Sequence, residues 1–357
     1  MFVEQFSSSS IWVTIRLTCV QFGSIFSNSN FMSIEQIDFS KTLTDDQVYE
    51  SIMNNYSDLA NEWISHQWNW MNNVYWAFND HYKYMIIISL IEKTLQFYDQ
   101  MNIQQSYEEY YSKSYVQIDK FSITELCEKL DLPKETIRRK VLELEKEGVI
   151  KRDKKKIIID GKAFSFVKPQ NQIKLSSKYI LLVAEALYRD KHFSKKVDVK
   201  LIESLIKKKF TLCWRWFYRM QIPLIIGYHK FMPDLSTFHV WGTICMNQSL
   251  NVTKNLKNTE TKKLPLDYGA ANKMLIDNVG SVSGISAMSI SDMTLIPRAT
   301  VIRKCKYLMK DDLIKLNEKK QYVLSSFNFK KILPYQTEAF KFKAKFIRKV
   351  LNLLVIS

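Results

Sequence analysis

Residues 121–160 read FSITELCEKLDLPKETIRRKVLELEKEGVIKRDKKKIIID. Residues 124–130 predict a short helix, with Ser122 placed as its N-cap and Leu126 and Leu130 at i and i+4, the spacing of one buried face. Leu132-Pro133 interrupts it. Proline cannot continue a helix, but its fixed φ suits a first turn, so a second helix is expected from Pro133 to about Lys146. In it Ile137, Val141 and Leu144 face inward, while Thr136, Arg138, Arg139, Lys140 and Glu143 face out. Gly148 is the expected C-terminal stop. Residues 149–152 and 156–159 then read as two strands around Asp153-Lys154-Lys155.

The run LPKETIRRKVLELEKEGVIKR, from Leu132 to Arg152, resembles the winged helix-turn-helix domains of bacterial transcription regulators, of the broad type that includes MarR-like and ArsR-like repressors. The resemblance implies that the second helix is a recognition helix entering the DNA major groove and that the hairpin is a wing reaching backbone or minor groove.

The pattern recurs near the C-terminus. ISDMTLIPRATVIRK, residues 290–304, aligns with the first copy from Pro133 onward without a gap. Thr300 meets Thr136, Val301 meets Ile137, Arg303 meets Arg139, Lys304 meets Lys140 and Leu308 meets Leu144. Leu313-Ile314-Lys315 meets Val149-Ile150-Lys151, and residues 317–320 form the second expected wing, with 321–324 as its return strand.

Around these modules the chain reads as helices. Thr44 begins a helical, aromatic-rich region to about Gln104, whose tryptophans are expected in the core or at helix contacts. Residues 103–116 read as a polar connector with partial helix, and 175–188 as a strongly apolar helix. KFIRKVLNLL, residues 345–354, matches the latter, setting Phe346 against Tyr179, Ile347 against Ile180, Val350 against Val183 and Leu354 against Leu187. Tyr49-Glu50-Ser51-Ile52 resembles Ile202-Glu203-Ser204-Leu205, and Trp68-Asn69-Trp70 resembles Trp214-Arg215-Trp216. Anchors in the same order predict a tandem duplication. The expected fold is mainly α with small β wings: two winged helix-turn-helix domains, each flanked by helices, in an internal tandem repeat. The divisions are a poorly ordered N-terminal extension (1–40), a first half (41–190, module about 121–162) and a second half (191–357, module about 286–326). Residues 251–284 are expected to be a surface loop.

Lysine and arginine outnumber aspartate and glutamate by 52 to 36, a net charge of +16, which favours a polyanionic partner. The bland source of that excess is a codon usage that favours lysine and asparagine. The five cysteines lie far apart, with no C-x-x-C pair, and read as reduced thiols. No apolar run spans a bilayer, and the basic C-terminal stretch reads as a structural helix in preference to a membrane-surface one. No glycine-rich phosphate loop, metal-ligand spacing among His66, His81, His192, His229 and His239, or nucleophile with a base is visible, so neither an enzyme nor a cofactor is expected.

The DNA-binding candidates are Lys134, Glu135, Thr136, Arg138, Arg139 and Lys140 on the first recognition helix, with Arg152, Lys154, Lys155 and Lys156 on its wing. In the second copy they are Arg298, Thr300, Arg303, Lys304 and Lys306, with Lys319 and Lys320 on the wing. Arginine addresses guanine through two hydrogen bonds, whereas lysine neutralises phosphate. Ile302 stands where the first copy has Arg138, and Glu318 dilutes the second wing, which leaves the first copy better equipped. The function expected is a cytoplasmic, sequence-specific transcription regulator acting on double-stranded DNA as a single-chain pseudo-dimer, with self-association through the flanking helices open and any small-molecule effector unknown. The alternatives are a winged-helix replication initiator and a protein-interaction scaffold that binds no DNA.

Overall fold

In the computed structural model, α1 (Asp45–Asn54) starts where Thr44 and Gln47 close a capping box, each side chain accepting the other's backbone N–H. The structure describes residues 42–154, 156–258, 266–278, 283–325 and 327–356, so the expected N-terminal extension, residues 1–40, lies outside the described residues. After α1 come α2 (Tyr56–Phe78) and α3 (His81–Gln100), the latter capped by Asp80, whose carboxylate accepts the N–H groups of Tyr82 and Lys83. Met85, Ile86, Ile87, Ile88, Leu90, Ile91 and Leu95 of α3 are all buried. A helix apolar on every side must be enclosed on every side.

Next come α4 (Tyr107–Tyr111) and a strand, β1 (Tyr115–Ile118). The strand was not expected: residues 103–116 read as a connector, because an alternation of exposed Tyr115 and Gln117 with buried Val116 and Ile118 is too short to announce itself. Then follow α5 (Ile123–Leu130), α6 (Lys134–Lys146), β2 (Ile150–Asp153) and β3 (Lys156–Asp160). The sheet is antiparallel in the order β1-β3-β2, with Val116 and Ile150 flanking Ile159. A 3-10 turn and the short α7 (Phe164–Val167) lead into α8 (Gln170–Arg189).

Past residues 190–198 come α9 (Val199–Lys208), α10 (Phe210–His229), α11 (Leu235–Asn258), α12 (Tyr268–Asn278), α13 (Ala287–Thr294), α14 (Arg298–Lys310), β4 (Ile314–Leu316), β5 (Tyr322–Leu324) and α15 (Phe327–Ile356). The stretch expected to be a surface loop is partly helical. α11 continues through it to Asn258, and α12 seats Tyr268 edge-on against Tyr56 and Phe340. The asparagine- and lysine-rich composition masked these few apolar anchors. The matched tryptophan pairs do not correspond, since Trp214 lies near the start of α10 and Trp68 in the middle of α2.

The described helices form one compact unit. α1 packs on α15 and α9 on α8, while α3 packs on α10 and α11 on α2. Each half thus lends helices to the other's core. Polar seams follow the same crossings: the Asn352 amide exchanges hydrogen bonds of 2.8 and 2.9 Å with the backbone of Leu43, and Arg215 on α10 pairs with Asp99 and Glu92 on α3.

At one crossing His239 Nε2 lies 2.8 Å from Asn72 Oδ1 and its Nδ1 lies 3.1 Å from His81 Nε2, an arrangement satisfied by two neutral rings. Burial pushes the imidazole pKa down to about 3 at His81, well below its ordinary value at His239, and to about 3 at His66. A folded-state pKa below the unfolded 6.5 means that the unfolded chain takes up protons first as pH falls. Stability is therefore complete above about pH 6.5 and is lost as pH drops toward 3. At pH 5 His66 and His81 each remove up to about 2 kcal/mol. Urea unfolding at pH 7 and pH 5 should show that fall, and His239→Gln should lessen it; an unchanged midpoint at pH 5 would contradict the neutral pair.

Candidate nucleic-acid interface

The first helix-turn-helix is assembled from short-range rules. Ser122 Oγ accepts the N–H of Glu125 and caps α5, and Leu126 and Leu130 bury its inner face. Asp131 takes the left-handed conformation, φ 51°, and the N–H of Leu132 returns to the Cys127 carbonyl. Pro133 occupies the N-cap position of α6, so the helix begins at Lys134, one residue later than expected. Gly148, φ 70°, closes α6, with its N–H on the Glu145 carbonyl and that of Val149 on Leu144. The second unit repeats these choices. Leu295 is left-handed at φ 60°, Pro297 stands at the N-cap of α14, and Val301, Cys305 and Leu308 are buried.

An ion-pair seat fixes each second helix to the frame. Lys140 Nζ lies 2.6 Å from the Asp80 carboxylate and 2.9 Å from Glu143, while Lys83 on α3 reaches Glu143 at 3.2 Å and Glu147 at 2.5 Å. Burial works against the charge of Glu143, yet hydrogen bonds from Lys140 and Lys83 hold its pKa below the usual carboxylate range. In the second half Lys304 pairs with Asp234, which also accepts from the backbone and hydroxyl of Thr237 at the start of α11. Burial likewise opposes the Asp234 charge, and Lys304 and Thr237 together keep its pKa low.

This seat sorts the candidates. Lys134, Glu135, Arg138 and Arg139 are exposed, Thr136 is half-buried, and α6 presents them on the face away from Ile137 and Val141. Arg139 makes only a long 3.9 Å approach to Glu143. Lys140 belongs to the seat, and Arg152 is held by Glu145 at 2.6 Å. Lys154 sits at the hairpin turn with φ 54°, Lys156 lies 3.5 Å from Asp119, and Lys155 falls outside the described residues. In the second unit Arg298, Arg303 and Lys306 are exposed, Thr300 and Ile302 half-buried, Lys319 and Lys320 exposed beside their turn, and Lys304 held by Asp234.

Sequence reasoning passed over Lys146 and Lys151, both exposed, though the alternation about buried Ile150 already turned Lys151 outward. It also missed Asp80 and Asp234, whose role depends on helices brought together only in the fold. Exposed Leu142 adds an apolar side chain beside Arg138 and Arg139 on α6. Among the described residues no group of three His, Cys, Asp or Glu could hold a metal ion, and no helix is long and apolar enough to cross a membrane.

A cationic helix face flanked by a basic hairpin, held on packed helices, suits a groove lined with phosphate. Residues 116–154 match the DeoR-like helix-turn-helix domain. The match runs from β1 through α5 and α6 to the hairpin turn, and it supports a DNA-binding regulator of transcription. It names a different type from the MarR-like and ArsR-like resemblance read in the sequence. No curated protein and no solved structure matches the chain.

Removing the seat should cost stability in either half. Asp80→Ala deletes an N-cap, about 1 kcal/mol, and a partly buried ion pair, up to about 1 kcal/mol; Asp234→Ala should behave alike. Denaturant midpoints measure both losses, and two neutral substitutions would remove the seat from the account.

Proposed function

We propose that this chain is a sequence-specific transcription regulator that presents two winged helix-turn-helix units from one polypeptide, a fused pseudo-dimer arising from tandem duplication. The observation that carries the reading is the paired seat: Lys140 on Asp80 and Lys304 on Asp234, each joining the second helix of a unit to the capping residue of α3 or α11. The repeated order of elements, the left-handed turn residues Asp131 and Leu295, and the prolines at both N-caps support it further. We assign base reading to Arg138 and Arg139, and phosphate neutralisation to Lys134, Lys151 and the lysines of the first hairpin. No catalytic role and no cofactor enter this reading, and a cytoplasmic location suits it.

The second unit favours a partly different use. Where the first has Thr124, Asp131 and Arg152, the second has Met288, Leu295 and Leu316, all exposed. Apolar side chains at surface positions that carry polar groups in the first copy fit a contact with another protein. The DNA site is accordingly expected to be an imperfect palindrome, read more strongly on one side.

Selection of genomic fragments with the full chain, followed by binding at increasing salt, tests the reading. Affinity should fall steeply with salt, and replacing both Arg138 and Arg139 by Ala should weaken the selected site by about 30-fold or more, at about 1–3 kcal/mol per bidentate contact. Arg303→Ala should weaken it less. Absence of binding at low salt, or indifference to the double substitution, would sink the proposal for the first unit.

A further inference from the structure

We infer that a cavity of about 150 Å³, formed where α2, α11 and α15 meet, binds a small planar apolar molecule carrying one hydrogen-bond donor. Its walls include Trp63 and Trp68 from α2, Trp241 and Gly242 from α11, and Phe340 from α15. A hydrophobic cavity of about this size holds benzene in other proteins, and rings facing rings select flat aromatic guests.

Two observations show that the walls suit a guest. Gln248 also lines the cavity and is 2% exposed; its amide nitrogen donates to the Ser283 carbonyl at 3.3 Å, while its Oε1 has no hydrogen-bond partner among the described residues. A buried acceptor left unpaired is costly and calls for a donor. Gly242 sits inside α11, where glycine is less favourable than alanine, yet a Cβ built there meets nothing within 4 Å. No neighbour requires the glycine, and the space it leaves adjoins the cavity. One of the rings is held by a hydrogen bond: Trp68 Nε1 donates to Thr243 Oγ1 at 3.1 Å.

The cavity joins the halves, with α2 from the first and α11, α15 and Leu324 of β5 from the second. α11 carries Asp234's partnership with α14 at its N-terminal end. A guest wedged between α2 and α11 therefore bears on the relative placement of the two helix-turn-helix units, a consequence that rests on the reading under Proposed function.

Indole, with one N–H donor, and indene, its carbon isostere, are suitable probes. Titration of the full chain, followed by calorimetry, should give saturable binding with indole about 5-fold tighter or more. Gln248→Leu should erase that preference. Affinity for indole should fall in the order wild type, Gly242→Ala, Gly242→Leu, with thermal melts confirming that each variant is folded; Gly242→Ala, which gains helix propensity, secures the test if the larger residue disrupts the fold. No saturable binding by indole, equal binding of indole and indene by the wild type, or unchanged affinity in both glycine variants overturns the site. The same samples, assayed for DNA binding, separate the claims. A chain that binds indole and no DNA keeps the site and loses the regulator; one that binds DNA and no indole does the reverse.

Discussion

Helix α3 has large aliphatic side chains around its whole circumference, and water can be excluded from all of them only if neighbours arrive from several directions. Its own half supplies α2 on one side and α5 and α6 on another; the remaining side is covered by α10, from the second half. α11 is in the corresponding position, covered by α13 and α14 of its own half and by α2 of the first. Uncovering one side of either helix would return apolar surface to water, at a cost of roughly 25 cal/mol per Å². The described residues of 39–357 accordingly form one compact unit.

The functional face follows from the same enclosure. With α6 pressed on α3 by Ile137, Val141 and Leu144, and with Lys140 drawn inward to Asp80, only the outer stripe of the helix stays open. That stripe is where Arg138 and Arg139 lie. A cation that completes a seat contributes to positioning, whereas a cation beside it that stays exposed can meet phosphate or a base edge. Two lysines at matching places, Lys140 and Lys304, fall on the positioning side of that division.

Much of the module was legible because its signals are local. The proline at the start of α6, the glycine at its end, the serine cap of α5 and the i, i+4 apolar spacing are each set within a turn or two of chain. β1 was not legible, since four alternating residues carry little periodicity and its partner β3 lies some forty residues away. The same cause hid the tryptophan mismatch: similar residues in similar order suggested a correspondence that the helix positions of Trp68 and Trp214 do not bear out. Charge alone could not separate Lys140 from Arg139, because the carboxylate that claims Lys140 sits at the head of a helix sixty residues earlier.

On the proposed reading, one chain offers two groove-reading units from one frame. Hydroxyl-radical footprinting on a selected DNA site, with the stoichiometry of the complex measured alongside, tests it most directly. The account predicts two protected patches centred about one helical turn apart, the stronger beside the unit that carries Arg138 and Arg139, from a single bound chain. A single protected patch, or two patches that appear only when two chains are bound, would contradict it.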